Sequence, residues 1–301
     1  MRDPAYQPGN LDSIRDPLLK YVAVNAAKIT RESKSNLALA FVALGRERRQ
    51  DITVFYAFCR VVDDIADSSE LESEEKERAL ADWRRWIRSQ EENEPALAGD
   101  VRALYGKYAI KPEMLDEIID GVAMDLGTVR YASFEELRLY CYRVASAVGL
   151  VSIEIFGYRN PACREYAIEL GLALQVTNII RDVGKDLLND RIYLPQEDLR
   201  QFGYSETQLR TRSYNDAFVR LMEFEAARAE EFFSRAAAIL PREDRRSMVA
   251  AEIMASVYHA LLGRMKAGRF RVFDKEYRLS KIEKGGRVAG QLLRLCLNAG
   301  R

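Results

Sequence analysis

Residues 55–68 read FYAFCRVVDDIADS, an apolar run with three aspartates near its end. On a helix, side chains three or four positions apart lie on one face. That spacing gathers a single polar stripe from Tyr56, Arg60, Asp63 and Asp67. A solvated surface is the usual explanation of such a stripe, but the other faces of this helix are apolar, so we expect it to be mostly buried. Because buried like charges are costly unless they are paired or bound to a cation, the stripe predicts a metal ion or a basic partner.

A second polar stripe lies in residues 172–199, which read LALQVTNIIRDVGKDLLNDRIYLPQEDL. Its members follow the same helical spacing and are Gln175, Asn178, Asp182 and Asp186. If the two helices face each other, the carboxylates of both stripes converge. Their repulsion in a low-dielectric interior then requires compensating positive charge.

Magnesium ions can supply that charge. Mg²⁺ prefers oxygen ligands and is typically held by one or two carboxylates together with the phosphate groups of a substrate. Arg60 and Arg181 are placed to contact phosphate oxygens. The two stripes therefore predict a site where Mg²⁺ holds a phosphorylated substrate, and where metal and arginine charge stabilise diphosphate as it leaves.

The composition excludes several other kinds of chemistry. The chain of 301 residues has 46 basic and 46 acidic side chains, so nothing indicates a protein that binds nucleic acid. His259 is the one histidine, which rules out multi-histidine metal sites, and no GxSxG, GxGxxG or P-loop pattern is present. The four cysteines are scattered singly, which favours reduced thiols over disulfides or a zinc site.

Apolar periodicity of 3.6 residues dominates the chain, whereas alternating strand-like runs are scarce. We therefore predict an all-α fold with one domain over residues 1–301. The segment 133–157 is apolar nearly all round, which marks a core helix. Its small residues serve either tight helix packing or the close approach of another molecule. The predicted helices span residues 12–27, 36–44, 47–68, 73–90, 112–127, 133–157, 161–188, 214–239, 243–268 and 280–297.

The two acidic segments resemble the two aspartate-rich signatures of the squalene and phytoene synthase family. They read YAFCRVVDDIAD at 56–67 and QVTNIIRDVGKDLLNDRIYLPQEDL at 175–199. The resemblance continues through MDLGTVRYASFEELRLYCYRVASAVG at 124–149 and SVYHALLGRM at 256–265, and it covers roughly residues 30 to 275. It implies the helical isoprenoid synthase fold with a central active-site cavity, and the head-to-head joining of two allylic diphosphates.

The resemblance also implies roles for individual residues. Carboxylates on two opposite walls would bind several Mg²⁺ ions: Asp63 and Asp67 on one wall, with Asp182 and Asp186 on the other. Residues around the diphosphates and the reacting carbons would be Tyr56, Arg60, Gln175, Asn178 and Arg181. Two further tyrosines near the reacting carbons would be Tyr140 and Tyr258. The cavity lining would include Val144, Val148 and Gly149, and an N-terminal flap would include Ser33 and Ser35.

The chain departs from the family pattern at two places. The flap reads Ser33-Lys34-Ser35-Asn36-Leu37 where the family has Ser-x-Ser-Phe, so an aromatic wall of the cavity is either missing or supplied by Phe41. Ser146 stands where glycine is usual, which should slightly narrow the space beside its helix. Neither change touches the predicted metal ligands.

The implied reaction begins with Mg²⁺-assisted ionisation of one isoprenoid diphosphate, and the double bond of a second molecule attacks the allylic cation. Loss of a proton then gives a cyclopropylcarbinyl diphosphate, with Tyr140, Tyr258 or the released diphosphate as the candidate base. We expect two farnesyl diphosphates to give presqualene diphosphate and then squalene, with NADPH as a further cofactor for the last step. The alternatives are phytoene from two geranylgeranyl diphosphates, or dehydrosqualene.

Three other classes of protein fit the sequence less well. Head-to-tail prenyl elongases and class I terpene cyclases are also helical with aspartate motifs, but the context NIIRDVGKD does not match theirs. A non-catalytic helical lipid-binding or assembly protein would be expected to have lost some of the four aspartates. 

The expected partner is the small isoprenoid diphosphate substrate, and we expect a cytoplasmic monomer or homodimer with at most peripheral membrane contact. The tail GQLLRLCLNAGR at 290–301 is too short to span a membrane. Packing of this tail on its own core is favoured over a helix that lies in a membrane interface.

Overall fold

The computed structural model describes residues 40–298, and within that range it contains helices and no strand. The predicted all-α class is therefore confirmed. The predicted helix at 12–27 and the flap residues Ser33 and Ser35 lie outside the described residues. The α-helices are α1 (Arg46–Asp67), α2 (Ser73–Trp86), α3 (Ala96–Tyr105), α4 (Pro112–Ala123), α5 (Phe134–Cys141), α6 (Ala147–Phe156), α7 (Ala162–Asp186), α8 (Gln196–Gln201), α9 (Glu206–Arg210), α10 (Asp216–Ile239), α11 (Val249–Ala267) and α12 (Lys281–Asn298).

Three of these helices were not predicted, namely α3, α8 and α9. Pro95 and Gly99 give the α3 region the appearance of a loop, yet Pro95 precedes the first helical residue, where a missing N–H costs nothing. Helices α8 and α9 have six and five residues, too few to show a period of 3.6. The predicted helix at 243–268 begins later, at Val249, after a short 3₁₀ turn at Arg242–Asp244.

The predicted core helix at 133–157 is present but is not uniform. A π-helical segment, Tyr142–Ser146, separates α5 from α6. Such π segments are rare and occur frequently at functional sites. By length and composition alone the stretch Phe134–Phe156 could cross a membrane, with a mean hydropathy of 1.4, but 56% of that window is buried inside the fold. Burial of this kind is what a core helix shows.

Helix α7 lies at the centre and packs on α6, α10, α11 and the π-helical segment. Helix α1 packs on α2, α3, α4 and α6. The two helices that carry the polar stripes therefore stand on either side of α6. Both stripes occupy the C-terminal halves of their helices, which places the aspartates together at one end of the bundle.

Small residues allow α6 and α7 to approach closely. A Cβ added at Gly171 of α7 would lie 2.5 Å from the Ser146 Cα atom, so only glycine fits there. The Ser146 hydroxyl donates to the carbonyl oxygen of Ile168 across 2.8 Å. Ser146 is fully buried in this contact and does not line the apolar cavity described below. The expectation that Ser146 narrows the space beside its helix is thus corrected: it joins two helices.

Candidate active site

The first polar stripe opens onto a recess that solvent reaches. The apolar faces of α1 are buried as predicted, but the Asp63 and Asp67 side chains are 50% and 54% exposed. Arg60 contacts Asp63 at 2.8 Å and also pairs with Asp64. Partial burial raises the pKa of Asp63 to about 6, against the opposing effect of Arg60 and with a contribution from Asp67. The expected enclosure of these carboxylates is therefore wrong, although protein still surrounds Asp63 closely enough to disfavour its charge.

Tyr56 begins the stripe deeper in the protein. Its ring is buried and meets the ring of Phe41 edge to face, with 6.0 Å between the centroids. Phe41 is itself buried and belongs to a short 3₁₀ turn, Phe41–Ala43, just before α1. The ring of Phe41 therefore packs on the first residue of the stripe.

The second stripe lies on α7 with its own arginine. Arg181 holds Asp182 through two hydrogen bonds, one of them 2.9 Å from Nε to Oδ1. Although burial opposes the charge of Arg181, the Asp182 carboxylate raises its pKa, and Tyr258 contributes in the same direction. Burial, followed by the charge of Asp182, raises the pKa of Asp186 to about 7.

Asn178 leaves a buried oxygen atom without a hydrogen-bond partner. Its Nδ2 atom donates to the Gln175 Oε1 atom at 3.2 Å, which points the Oδ1 atom the other way. That Oδ1 atom is one of two buried polar side-chain atoms in the described part of the chain that lack a partner. Buried polar atoms are nearly always satisfied, so an oxygen held in this manner beside the aspartates suits a cation.

Three residues outside the stripes connect the two walls. Arg191 donates to Asp67 across 2.7 Å and lies 3.5 Å from the carbonyl oxygen of Asp125. The Asp125 carboxylate accepts hydrogen bonds from Tyr193 at 2.7 Å and from Tyr140 at 2.9 Å. Its charge acts on Asp63 of one stripe and on Asp186 of the other. Asp125 therefore lies between the two stripes, and both border the same recess.

Sequence reasoning did not assign Asp125, Arg191 or Tyr193 to the site. Asp125 follows the end of α4, and the other two lie in the irregular segment after α7, so helical spacing could not detect them. The available signal was their position inside the two quoted segments MDLGTV and RIYLP. 

The arrangement of oxygen atoms fits a hard divalent cation. Between residues 40 and 298 no three ligand-type side chains stand close enough to form a ready-made metal cluster. Instead, each of three carboxylates forms an ion pair with an arginine: Asp63 with Arg60, Asp182 with Arg181, and Asp67 with Arg191. Carboxylates together with the Asn178 amide oxygen are the donors that Mg²⁺ prefers.

An apolar cavity of about 90 Å³ is lined in part by Phe41, which contacts Tyr56 of the first stripe. Phe41, Val148 and Gly149 line it as expected, together with Phe156 and Tyr166. Phe41 thus supplies an aromatic side chain to the cavity wall, which is one of the two alternatives for the aromatic residue that the flap lacks. Val144 lies against Gly121 of α4 and is not among the residues that line this cavity.

The remaining candidates are placed as follows. Tyr140 is buried and stacks on Tyr193, with 5.1 Å between the ring centroids. Burial and the neighbouring Asp125 carboxylate hold the pKa of Tyr140 well above its usual value, so this phenol keeps its proton. Tyr258 is buried beside Arg181. His259 is exposed against the ring of Phe233, away from the two stripes.

The chain is similar to known proteins in sequence and in fold. A sequence model of the family named Squalene/phytoene synthase matches residues 30–283. A phytoene synthase of Mycobacterium tuberculosis is 33% identical over 267 residues, which is 88% of this chain and 88% of that protein. A presqualene diphosphate synthase of Rhodopseudomonas palustris is 34% identical over 252 residues, 83% of this chain and 90% of that protein. The crystal structure of a dehydrosqualene synthase in complex with ligand has a TM-score of 0.79 and 26% identity, and the match covers 93% of this chain and 99% of that one.

Proposed function

The chain belongs to the squalene/phytoene synthase family, and we propose that it condenses two farnesyl diphosphates head to head to presqualene diphosphate and then to squalene. Membership makes the chain a prenyltransferase of isoprenoid biosynthesis. The substrate, the metal and the final product are the parts that we propose. The observation that carries the proposal is that Asp125 acts on both acidic stripes, beside an apolar cavity whose Phe41 contacts Tyr56 of the first stripe.

Mg²⁺ would be held by the four aspartates of the stripes and the Asn178 Oδ1 atom. When bound, the metal neutralises the carboxylates and stabilises the negative charge of diphosphate as the carbon–oxygen bond breaks. The arginines that now occupy Asp63, Asp182 and Asp67 are then free to turn to diphosphate oxygens. The same guanidinium groups would thus pair with the carboxylates before the substrate binds and with the leaving group afterwards.

The proton that is lost when the cyclopropane forms requires an acceptor. The Tyr140 hydroxyl donates to Asp125 at 2.9 Å, so Tyr140 can accept a proton from the substrate as it passes its own to Asp125. Tyr193 donates to the other oxygen of Asp125 and fixes the carboxylate in place. Tyr258 stands beside Arg181, close to the leaving group, and is the second candidate base.

The cavity must exclude water, because water would trap the cation as an alcohol. Its walls are suited to this, since they are formed by side chains such as Ile153, Leu170, Leu174 and Met254. Aromatic side chains bound the same space, namely Phe41, Phe156 and Tyr166. A compact cavity with aromatic walls favours the fifteen-carbon chain of farnesyl diphosphate.

A second candidate is phytoene synthesis from two geranylgeranyl diphosphates. It is favoured by the sequence identity to a phytoene synthase, 33%, which is nearly the same as the 34% identity to a presqualene diphosphate synthase. The twenty-carbon substrate would require Phe41 or Phe156 to move.

Product analysis distinguishes these reactions. The enzyme is incubated with Mg²⁺ and either diphosphate, with and without NADPH, and products are identified by gas chromatography and mass spectrometry after phosphatase treatment. Squalene that forms from farnesyl diphosphate only with NADPH supports the proposal, whereas phytoene from geranylgeranyl diphosphate alone replaces it with the second candidate. Dehydrosqualene would correct the last step only. No product from either substrate, with no Mg²⁺-dependent binding of them, would indicate a non-catalytic protein.

A further inference from the structure

An arginine-rich groove lies at the end of α1 that is remote from the aspartates. Arg48 is in the first turn of α1, nineteen residues before Asp67, so about 28 Å of helix separate the groove from the metal-binding end. The groove is bordered by the turn after α6 and by the 3₁₀ turn before α11. Its basic residues are Arg48, Arg159, Arg242, Arg245 and Arg246.

The positive charge of this groove is not neutralised by its own carboxylates. Its two acidic residues are Glu243 and Asp244. The Asp244 carboxylate is buried and accepts from the backbone N–H groups of Arg159 and Asn160, at 2.9 Å each. Glu243 accepts from the Asn160 side chain at 2.9 Å. Among residues 40–298 none of the five arginines forms an ion pair, and all five are exposed.

Apolar side chains accompany the arginines. Leu292 and Leu295 of α12 line the groove, and Leu293 beside them is 61% exposed. Helix α12 is fixed to the protein, because Val288 and Leu295 pack against the core and Arg287 donates to Ser256 at 3.0 Å. Packing of the tail helix on its own core is thus present, and the same helix also offers leucines to the solvent.

Only a thin wall separates this groove from the apolar cavity. Phe156 lines both spaces. Val249 borders the groove, while the next residue, Ala250, lines the cavity. Likewise, Leu44 borders the groove and Phe41 lines the cavity. The groove and the cavity therefore lie on opposite sides of one layer of side chains.

We propose that this face docks on an anionic lipid bilayer and brings the wall that it shares with the apolar cavity against the membrane. Arg48 donates to the carbonyl oxygen of Phe156 and keeps its charge, as do the other four arginines, which form no ion pair with residues 40–298. Arginines beside exposed leucines are the combination that attracts a protein to an anionic lipid surface and keeps it in the interface. The face is assigned to a bilayer and not to a small anion, because the exposed side chains of Leu292 and Leu293 accompany the arginines. The docking itself is independent of the reaction. Its use, the release of a water-insoluble hydrocarbon into lipid, rests on the proposed function.

Vesicle co-sedimentation tests the docking without turnover. The full chain is mixed with vesicles of phosphatidylcholine alone or with about a third phosphatidylglycerol, at low and at physiological salt. The test variant is R242Q/R245Q/R246Q, and the matched control, R78Q/R200Q/R220Q, removes three exposed arginines elsewhere. We expect binding only to the anionic vesicles, weakened by salt. Each arginine near the surface contributes about fivefold in affinity, so the test variant should bind about a hundredfold more weakly and the control should bind like the wild type.

The docking would be overturned by equal binding of the test variant and the wild type, or by no binding to anionic vesicles at low salt. Preference for a short RNA over the vesicles would also overturn it. Product formation is measured in parallel with a water-dispersed substrate, where both variants should match the wild type. If vesicle binding follows the arginines while no variant forms product, the proposed function fails and the docking stands.

Discussion

Arg191 donates from Nη1 to the Oδ1 atom of Asp67 across 2.7 Å, and this contact joins the segment after α7 to the last residue of α1. Although burial opposes the charge of Arg191, Asp67 raises its pKa. The two acidic helices do not pack on each other along their length but are connected at this end. Arg191 is thus the residue that couples the two walls of the recess.

Replacing Arg191 with glutamine should lower kcat/KM by about ten- to hundredfold, because a charge-assisted hydrogen bond contributes about 1.5 to 3 kcal/mol. Arg191→Lys should recover part of the loss, since lysine keeps the charge but not the paired donors. The measurement is steady-state kinetics at several Mg²⁺ concentrations. Arg210→Gln is the control, because Arg210 forms only exposed ion pairs with Asp190 and Glu206, which contribute little. If the Arg191→Gln variant has unchanged kinetics, the contact between Arg191 and Asp67 does not contribute to the reaction.

Asp63→Asn and Asp182→Asn should both abolish turnover but should differ in stability. Arg60 retains Asp64 when Asp63 is replaced, and relief of repulsion leaves the free energy of unfolding unchanged or slightly higher. Arg181 has Asp182 as its one carboxylate partner in the described part of the chain, so Asp182→Asn should cost about 1 to 3 kcal/mol. Thermal unfolding and product assays check both variants, with Asp100→Asn on the exposed face of α3 as the control. Turnover within tenfold of the wild type in either variant would remove that aspartate from the metal site.

Tyr140→Phe and Tyr193→Phe separate proton transfer from positioning at Asp125. Loss of a general base typically costs about a hundredfold or more in kcat, which we expect for Tyr140→Phe. Tyr193→Phe removes one hydrogen bond to Asp125 and should cost about five- to tenfold. Single-turnover rates give the comparison, and Tyr105→Phe is the control because its hydroxyl donates to the Ile87 carbonyl oxygen far from the recess. Equal losses in the two site variants would contradict Tyr140 as the base.

The parts of the site that follow a helical period could be predicted from the sequence, and the parts that depend on tertiary contacts could not. Asp63 and Asp186 are each detectable because α1 and α7 are long and regular. Asp125 and Tyr193 come from irregular segments whose positions depend on how the helices pack. Likewise, the sequence does not reveal that arginines occupy the carboxylates, nor that Ser146 turns toward α7. Arg191 lies 124 residues from Asp67, and Ile168 lies 22 residues from Ser146. Arg60 and Arg181, by contrast, are close to their aspartates in sequence and pair with them only through the side-chain conformations that the fold imposes.

A buried charge cluster away from the active site makes stability depend on pH. Arg228 contacts Asp198 at 2.9 Å and Glu225 at 2.6 Å, and both carboxyl groups are almost completely buried. One guanidinium cannot neutralise two carboxylates, and the Glu225 Oε1 atom has no hydrogen-bond partner. Burial therefore raises the pKa of Glu225, against the opposing effect of Arg228 and with a further rise from Asp198.

The raised pKa means that the folded state holds the Glu225 proton more tightly than the unfolded chain does. The corresponding stability is fully present below the unfolded pKa of glutamate and is lost as the pH rises through the folded value. Glu225→Gln cannot ionise, so this loss should disappear, and at pH 8 the variant should be more stable than the wild type by about 1 to 3 kcal/mol. Urea unfolding at pH 5 and pH 8 measures the difference, with Glu223→Gln, exposed on the same helix, as the control. If the Glu225→Gln variant shows the same pH dependence as the wild type, then Glu225 is ionised in the folded protein and Arg228 alone is sufficient to hold its charge.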